Sequence, residues 1–513
     1  MRGKKKGKII QACVVVGILL VLLVLVAKDL PKIRSEEGTD RQMVYVEDHL
    51  LCYTPDMKNK EQSVVICQLK YDDEKKWIYY WGDGIRLSSD GKYIYFLNDV
   101  TAEGTGELCR IKINRISKDE IKNTLYIEEL ASDVVSYRIL EDAKQVVYQQ
   151  KNGRLLHMGQ TTEFIAKKAS EFHLCDTHIL YTVEKKESTE EEPLYDIFAY
   201  DIKTAANEKL ESNIKDFCKN DTADFILCTK QNTQGEDIYV LDVAGESRKI
   251  AENATYYWDD TEKKAFYYRM AEKNGEKEVL DFYKYVDGNK PEKILDNVDF
   301  CYVDAKHELF IFCKTEENEE EPQFYYKWKE QEGSLEIDKP GFWVSVSEDE
   351  KYLMIGRDND EAAMDLYEKT ENGLKKVEEV AKHTSLAGWA GDICYYYGNA
   401  DMSKNTGDLC YYEKGKITKL MEDVYMSVKM YADGNYLAYR NYVFDRGGEL
   451  YVFDTQGEEK KIAENVSEYT YLEKDCILYM EEENLYVYTG EESHILGRNV
   501  LGYRCDELAG DYL

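Results

Sequence analysis

Hydrophobic and polar positions divide the chain into two unlike parts. From Ile9 to Ala27 the sequence is apolar, with Gln11 as the one strongly polar interruption. At 1.5 Å rise per residue such a run predicts a helix of about 28 Å, close to the hydrocarbon thickness of a bilayer. From Met43 onward the pattern changes to short runs in which apolar and polar positions alternate with a period near two, as in Tyr93-Ile94-Tyr95-Phe96 and Glu449-Leu450-Tyr451-Val452-Phe453. β-Branched and aromatic residues dominate these runs, so they predict strands. No long helical stripe follows residue 30; even 111–130 breaks its pattern at Asn114 and Asn123-Thr124.

The strands recur as a unit of roughly 40 to 45 residues: an apolar strand, an Asp-Gly or Asp-x-Lys turn, a Tyr-rich strand, a polar loop, a third strand, a short turn and a fourth strand. The clearest copy is 431–466. Closing phrases also match, reading IAENA at 250–254, ILDNV at 294–298, LMEDV at 420–424, IAENV at 462–466 and ILGRNV at 495–500. A repeat of this length with four short strands predicts a β-propeller blade, which cannot bury both faces alone and must stack on its neighbours.

Ser88-Ser89-Asp90-Gly91-Lys92-Tyr93-Ile94-Tyr95-Phe96 with Gly106-Glu107-Leu108, and Tyr431-Ala432-Asp433-Gly434 with Gly448-Glu449-Leu450-Tyr451-Val452, resemble the TolB-type, WD40-like propeller repeat. The resemblance implies an all-β propeller fold. The chain departs from the pattern in lacking the Pro before Asp-Gly, and copies such as Asp304-Ala305-Lys306 and Glu141-Asp142-Ala143 have lost the Gly.

About ten to eleven four-stranded units fit the length, more than one ring usually holds. Two tandem propellers are therefore expected, at 44–299 and 300–513 with a seam near Asn297 to Cys301, and one large propeller is the alternative. The last unit and its tail are placed to lend a strand to an early blade and close a ring.

Charge sets the topology expected of the N-terminus. Arg2, Lys4, Lys5, Lys6 and Lys8 precede the apolar run, so residues 1–8 read as a cytoplasmic stub, 9–27 as an uncleaved transmembrane signal anchor, and 28–43 as a juxtamembrane linker leading to an extracellular domain. A cleaved secretory signal is the rival reading, but its apolar region is usually shorter and ends at a small-x-small site, whereas this run exits through Leu25-Val26-Ala27-Lys28. The whole chain carries 67 Lys/Arg against 100 Asp/Glu, a net charge of −33; eight of those bases and one acid lie in the first 34 residues, leaving 59 against 99 beyond them. A field of that sign repels phosphate backbones, excludes nucleic acid as the expected partner, and favours cationic or neutral ones.

Thirteen cysteines contain no CxxC, which excludes zinc ribbons and thioredoxin-like sites. Cys218 with Cys228 and Cys301 with Cys313 fall at matching places on the first two strands of their units, as buried fillers or as cross-strand disulfides. The seven histidines are scattered, with no HExxH, and there is no G-x-S-x-G elbow. The acidic runs 187–192 and 316–321 read as solvated loop tips, and Asp358-Asn359-Asp360-Glu361 with Asp365 lacks the Gly and terminal Glu of an EF-hand loop. No metal site and no cofactor is expected.

Trp81, Trp258, Trp343 and Trp389 lie close to unit starts, where the innermost strand lines a channel, so they form either a ligand-facing ring or packing. No catalytic constellation stands out. The expected function is a membrane-anchored extracytoplasmic module that binds a protein or peptide; the alternative is a propeller glycosidase or lyase acting on glycans, which needs convergent carboxylates that the sequence does not single out.

Overall fold

The computed structural model describes residues 42–513 apart from 81, 141–142, 187, 189–192, 233–234, 262, 275–276, 299, 315–322, 338–339, 358–360, 392, 432–433, 455–457, 506–509 and 513. The expected stub, anchor and most of the linker, both acidic runs for the most part, and Asp358 to Asp360 therefore lie outside the described residues. No helix among those described is long and apolar enough to cross a membrane.

Among the described residues the strands assemble into antiparallel sheets that resolve into eleven four-stranded units. Five blades are separate four-stranded sheets, the two seven-stranded sheets are pairs of blades that share one long strand, and the eight-stranded sheet is such a pair with Gly510–Tyr512 added beside Lys429–Tyr431. Blades 2 to 11 span 85–134, 134–166, 172–214, 216–254, 254–298, 300–334, 340–381, 385–425, 429–466 and 466–497. Blade 1 is completed from the far end of the chain: Met43–Glu47 pairs with Leu50–Thr54 on one side and with Val500–Arg504 on the other. The expected loan of a late strand to an early blade is thus observed.

Consecutive residues of each second strand face opposite neighbours, as a period of two requires. Ile226 and Cys228 join the core shared with blade 4, whereas Leu227 joins the core shared with blade 6. Such shared cores run from each blade to the next, and Tyr45 and Cys52 of blade 1 pack with Leu478, Val487 and Leu496 of blade 11. Residues 42–513 accordingly form one compact unit. Across the seam expected near 297–301, Tyr267, Phe282 and Leu295 of blade 6 pack against Phe310 and Phe312 of blade 7. The fourth strands, such as Asn207–Ile214 and Lys416–Tyr425, are the most exposed and form the outer rim, which leaves the first strands facing the axis.

Two recurrent devices explain the repeated phrases. The first is the closing Asn or Asp. Asp133, Asn213, Asn253, Asn297, Asp423, Asn465 and Asn499 all have φ between 48° and 58°, and each precedes a buried residue: Val134, Ile214, Ala254, Val298, Val424, Val466 or Val500. Asn and Asp tolerate this left-handed region better than other side chains. Where the strand is shared, the buried residue is the pivot between sheets: Val466 pairs with Gly448 of blade 10 and with Glu481 of blade 11.

The second device is an acid on the third strand paired with a lysine on the fourth: Asp196 with Lys209 at 2.7 Å, Asp237 with Lys249 at 2.8 Å, Asp281 with Lys293, Asp365 with Lys376 at 2.8 Å, Asp408 with Lys419 at 3.6 Å and Glu449 with Lys461 at 2.5 Å. In three blades the acid also accepts the backbone N–H of the left-handed residue, Asn253 at 3.4 Å, Asn297 at 3.1 Å and Asp423 at 3.0 Å.

The turn between first and second strands needs a left-handed residue too. Gly91 supplies it at φ 64°, and Ala143, Ala223, Lys264, Glu308 and Glu350 adopt φ between 52° and 56° where the glycine has been lost. Ser88 and Ser347 brace their turns identically, each hydroxyl donating to the Asp two residues on at 2.7 Å.

Candidate functional site

The inner strands of blades 1 to 3 bring three arginines together in an otherwise acidic domain. Arg86 and Arg138 occupy equivalent positions, two residues before the residue that closes the first turn of blades 2 and 3, where Ser88 bonds Tyr93 and Leu140 bonds Gln145. Both guanidiniums bind one carboxylate, that of Asp83 at the entry to the inner strand of blade 2; Arg138 Nη1 lies 2.5 Å from Asp83 Oδ2, and Arg86 Nη2 bonds Oδ1. Arg504, on the inner strand of blade 1, donates to the Gly82 carbonyl at 3.1 Å and to the Tyr503 carbonyl at 2.7 Å. Three guanidiniums from three consecutive blades thus surround the 82–83 loop.

Aromatic rings of the following blade seat two of them. Arg86 stands 6.0 Å from the Tyr137 ring centre, and Arg138 stands 5.9 Å from that of Phe172. Each contact orients the planar fork and is worth about 0.5–1 kcal/mol at a site of this exposure. Burial alone pushes the Asp83 carboxyl up, but Arg86 and Arg138 together hold it below the usual carboxylate range. Asp83 is largely enclosed, its side chain 15% exposed, while those of Arg86 and Arg138 remain 37% and 42% exposed. A guanidinium has five N–H donors in a fixed fork, so these two can grip Asp83 and still present donors to the mouth of the ring.

The arc continues into a cavity. Blade 4 has His173 at the position matching Arg86 and Arg138, two residues before the bond from Cys175 to the His178 carbonyl. His173 meets Phe217 of blade 5 edge to face at 5.4 Å. Phe217 lines a cavity of about 310 Å³ together with Ser170, Glu171, Pro193, Tyr195, Ile214, Lys215 and Asp216. These residues stand where fourth strands cross to the next first strand and where second strands pass to third, the same end of the blades as Asp83. The cavity adjoins the arc through His173, which follows Phe172 in the chain and touches Phe217.

Of the four tryptophans singled out by sequence, Trp81 lies outside the described residues. The others stand on inner strands as expected, in a different sector from the arginines. Trp258 packs in the core between blades 6 and 7, 5.8 Å from Tyr267. Trp343 and Trp389 meet in the core between blades 8 and 9, where Trp343 covers Gly356, and Trp389 stacks on Tyr352 at 6.2 Å and donates to the Ser345 carbonyl at 3.1 Å. The structure brings Trp343 and Trp389 together and separates Trp258 from them.

Cys218 and Cys228 are free thiols, and the register sets Cys218 opposite Leu227 and Cys228 opposite Phe217, a diagonal placement. Cys301 and Cys313 repeat it, opposite Phe312 and Phe300. Burial pushes the thiols of Cys52, Cys67, Cys109 and Cys228 up to about 12, which removes thiolate nucleophiles at neutral pH. Among the described residues no group of three or more His, Cys, Asp or Glu side chains is arranged to hold a metal ion. Asp365 is fully buried and faces Arg357 Nε at 3.2 Å besides Lys376.

No protein-family model matches the chain, and no curated protein does. Solved structures share the β-propeller fold at low identity. The propeller domain of the Trilobed protease from Pyrococcus furiosus is 14% identical over 63% of this chain and 94% of its own, with a TM-score of 0.27. Porphyromonas gingivalis dipeptidyl peptidase 4 is 11% identical over 79% of this chain and 65% of its own, with a TM-score of 0.37. The tricorn protease is 11% identical over 81% and 45%, with a TM-score of 0.28.

Proposed function

We propose that the chain is a propeller-based binding module, tethered to the membrane by residues 9–27 with its blades outside the cell, and that it captures a peptide or an exposed segment of a protein at the arginine arc and the adjoining cavity of blades 4 and 5. The observation that carries this reading is that cavity: its lining mixes Phe217, Tyr195, Ile214 and Pro193 with Lys215, Glu171, Asp216 and Ser170, a mixture suited to a polar backbone bearing apolar side chains. TolB-type resemblance in the blades and the basic flank of the apolar N-terminal run support the rest.

The test uses the full-length chain in detergent micelles and a fluorescent pool of random decapeptides with amidated C-termini, followed by anisotropy. Saturable binding that Phe217→Ala or Lys215→Ala weakens at least fivefold is the expected result. Absence of saturable binding by the unaltered protein rejects the peptide-binding role. Topology has its own measurement: alkaline carbonate should leave the chain in membranes, and protease added to intact cells should cut the tyrosine-rich part. Release by carbonate would remove the tether.

A further inference from the structure

We propose that Arg86, Arg138 and Arg504 form a receptor for the terminal α-carboxylate of an extended peptide whose preceding residues lie over the cavity of blades 4 and 5. This rests on the peptide-binding reading and names the chemical group that fixes the ligand's end.

Guanidinium forks match a carboxylate with two parallel N–H bonds, a geometry that a lysine does not reproduce. Here two forks share one acid, so the pair carries a unit of positive charge after Asp83 is counted, and Arg504 stands at the same loop. The forks are also held before any ligand arrives, by Asp83, the Gly82 carbonyl and the rings of Tyr137 and Phe172. Such preorganisation lowers the entropy lost on binding.

Charge decides which anion fits. With 59 bases against 99 acids beyond residue 34, the net field of the domain opposes polyanions, so a ligand with many phosphates or carboxylates is disfavoured. A peptide presenting a single carboxylate at its end incurs the least repulsion. The surface also leads from the arc toward the cavity without a break: Arg138 covers Phe172, the next residue His173 touches Phe217, and Phe217 lines the cavity. A chain whose end is held by the arginines therefore has an aromatic track for its last few residues.

The experiment compares two pools of the same fluorescent decapeptides, one with free C-termini and one amidated, against the full-length chain in micelles at fixed ionic strength. Free carboxylates should bind about ten- to a hundredfold more tightly, the range expected for charge-assisted hydrogen bonds. Arg138→Gln should abolish that preference, so that the free and amidated pools bind the variant alike. Arg504→Gln should reduce it, and an unaltered melting temperature confirms that either variant is folded. Equal affinity of the two pools for the unaltered protein overturns the carboxylate receptor and leaves the binding role intact. No binding of either pool removes both.

Discussion

Asp281 accepts the backbone N–H of Asn297 at 3.1 Å across the outer edge of blade 6, so a buried carboxylate is spent on holding one left-handed peptide. Its other oxygen meets Lys293. The two contacts differ in worth, because the carboxylate is 4% exposed whereas the lysine is 45% exposed. Asp281→Ala is expected to lower unfolding free energy by about 2 kcal/mol through loss of the charged acceptor, and Lys293→Ala by about 0.5 kcal/mol, as for an exposed ion pair. Urea titrations of the two variants check this; equal losses would transfer the role to the ion pair.

The left-handed residue itself is open to test at Asn465, φ 52°, where the strand leaves blade 10 for blade 11. A β-branched side chain is poorly accommodated there, so Asn465→Val should cost about 2 kcal/mol while Asn465→Gly stays within about 0.5 kcal/mol of the parent. A thermal melt in which both variants fall together would indicate that the asparagine side chain, and not the backbone, matters.

Acid should loosen the ring. In Asp237 burial raises the carboxyl, but bonds from Lys249 and Asn232 more than offset it; in Glu449 the bond from Lys461 leads; both acids end below their usual range. A carboxyl lowered in the folded state stabilises it above its unfolded value of about 4 and loses that contribution as pH falls through the folded value. The urea midpoint should thus be flat from pH 7 to 5 and drop below about pH 4. Asp237→Asn should shrink the drop, and an unchanged drop would exclude this acid from the effect.

Thiol chemistry gives a further check. Cys52, Cys67, Cys109 and Cys228 are buried and their thiols are pushed up to about 12, so a thiol-specific reagent at pH 7.5 should leave them unmodified in the native protein and label them in denaturant. Peptide mapping should recover Cys218 and Cys228 as separate thiols. A linked pair would show that the register admits a bridge.

Much of this architecture is legible in the sequence because it is repetitive. The ENV and DNV phrases mark positions where backbone geometry requires Asn or Asp, and a requirement met seven times leaves a visible trace. The inner-strand location of Trp258, Trp343 and Trp389 could be read from their distance to the turns. The arginine arc could not. Arg86 and Arg138 lie 52 positions apart and Arg504 is remote from both, and only the pairing of Val44 with Arg504 brings the third into the same sector. One signal was available: in a strongly acidic domain, arginine twice falls two positions before the residue that opens the first turn.

Closure through Val500–Arg504 ties the start of the folded domain to its finish. While the polypeptide is still emerging from the ribosome or the export channel, blade 1 has no inner edge and presents the open backbone groups of Met43–Glu47 to solvent. Ten blades can assemble during that interval, but the circle stays unlatched, and Arg504 is missing from beside Gly82, until the closing segment arrives. A protease nick between residues 481 and 500, or a chaperone that holds the early strand, would therefore act on ring integrity and on the arginine arc at a single stroke.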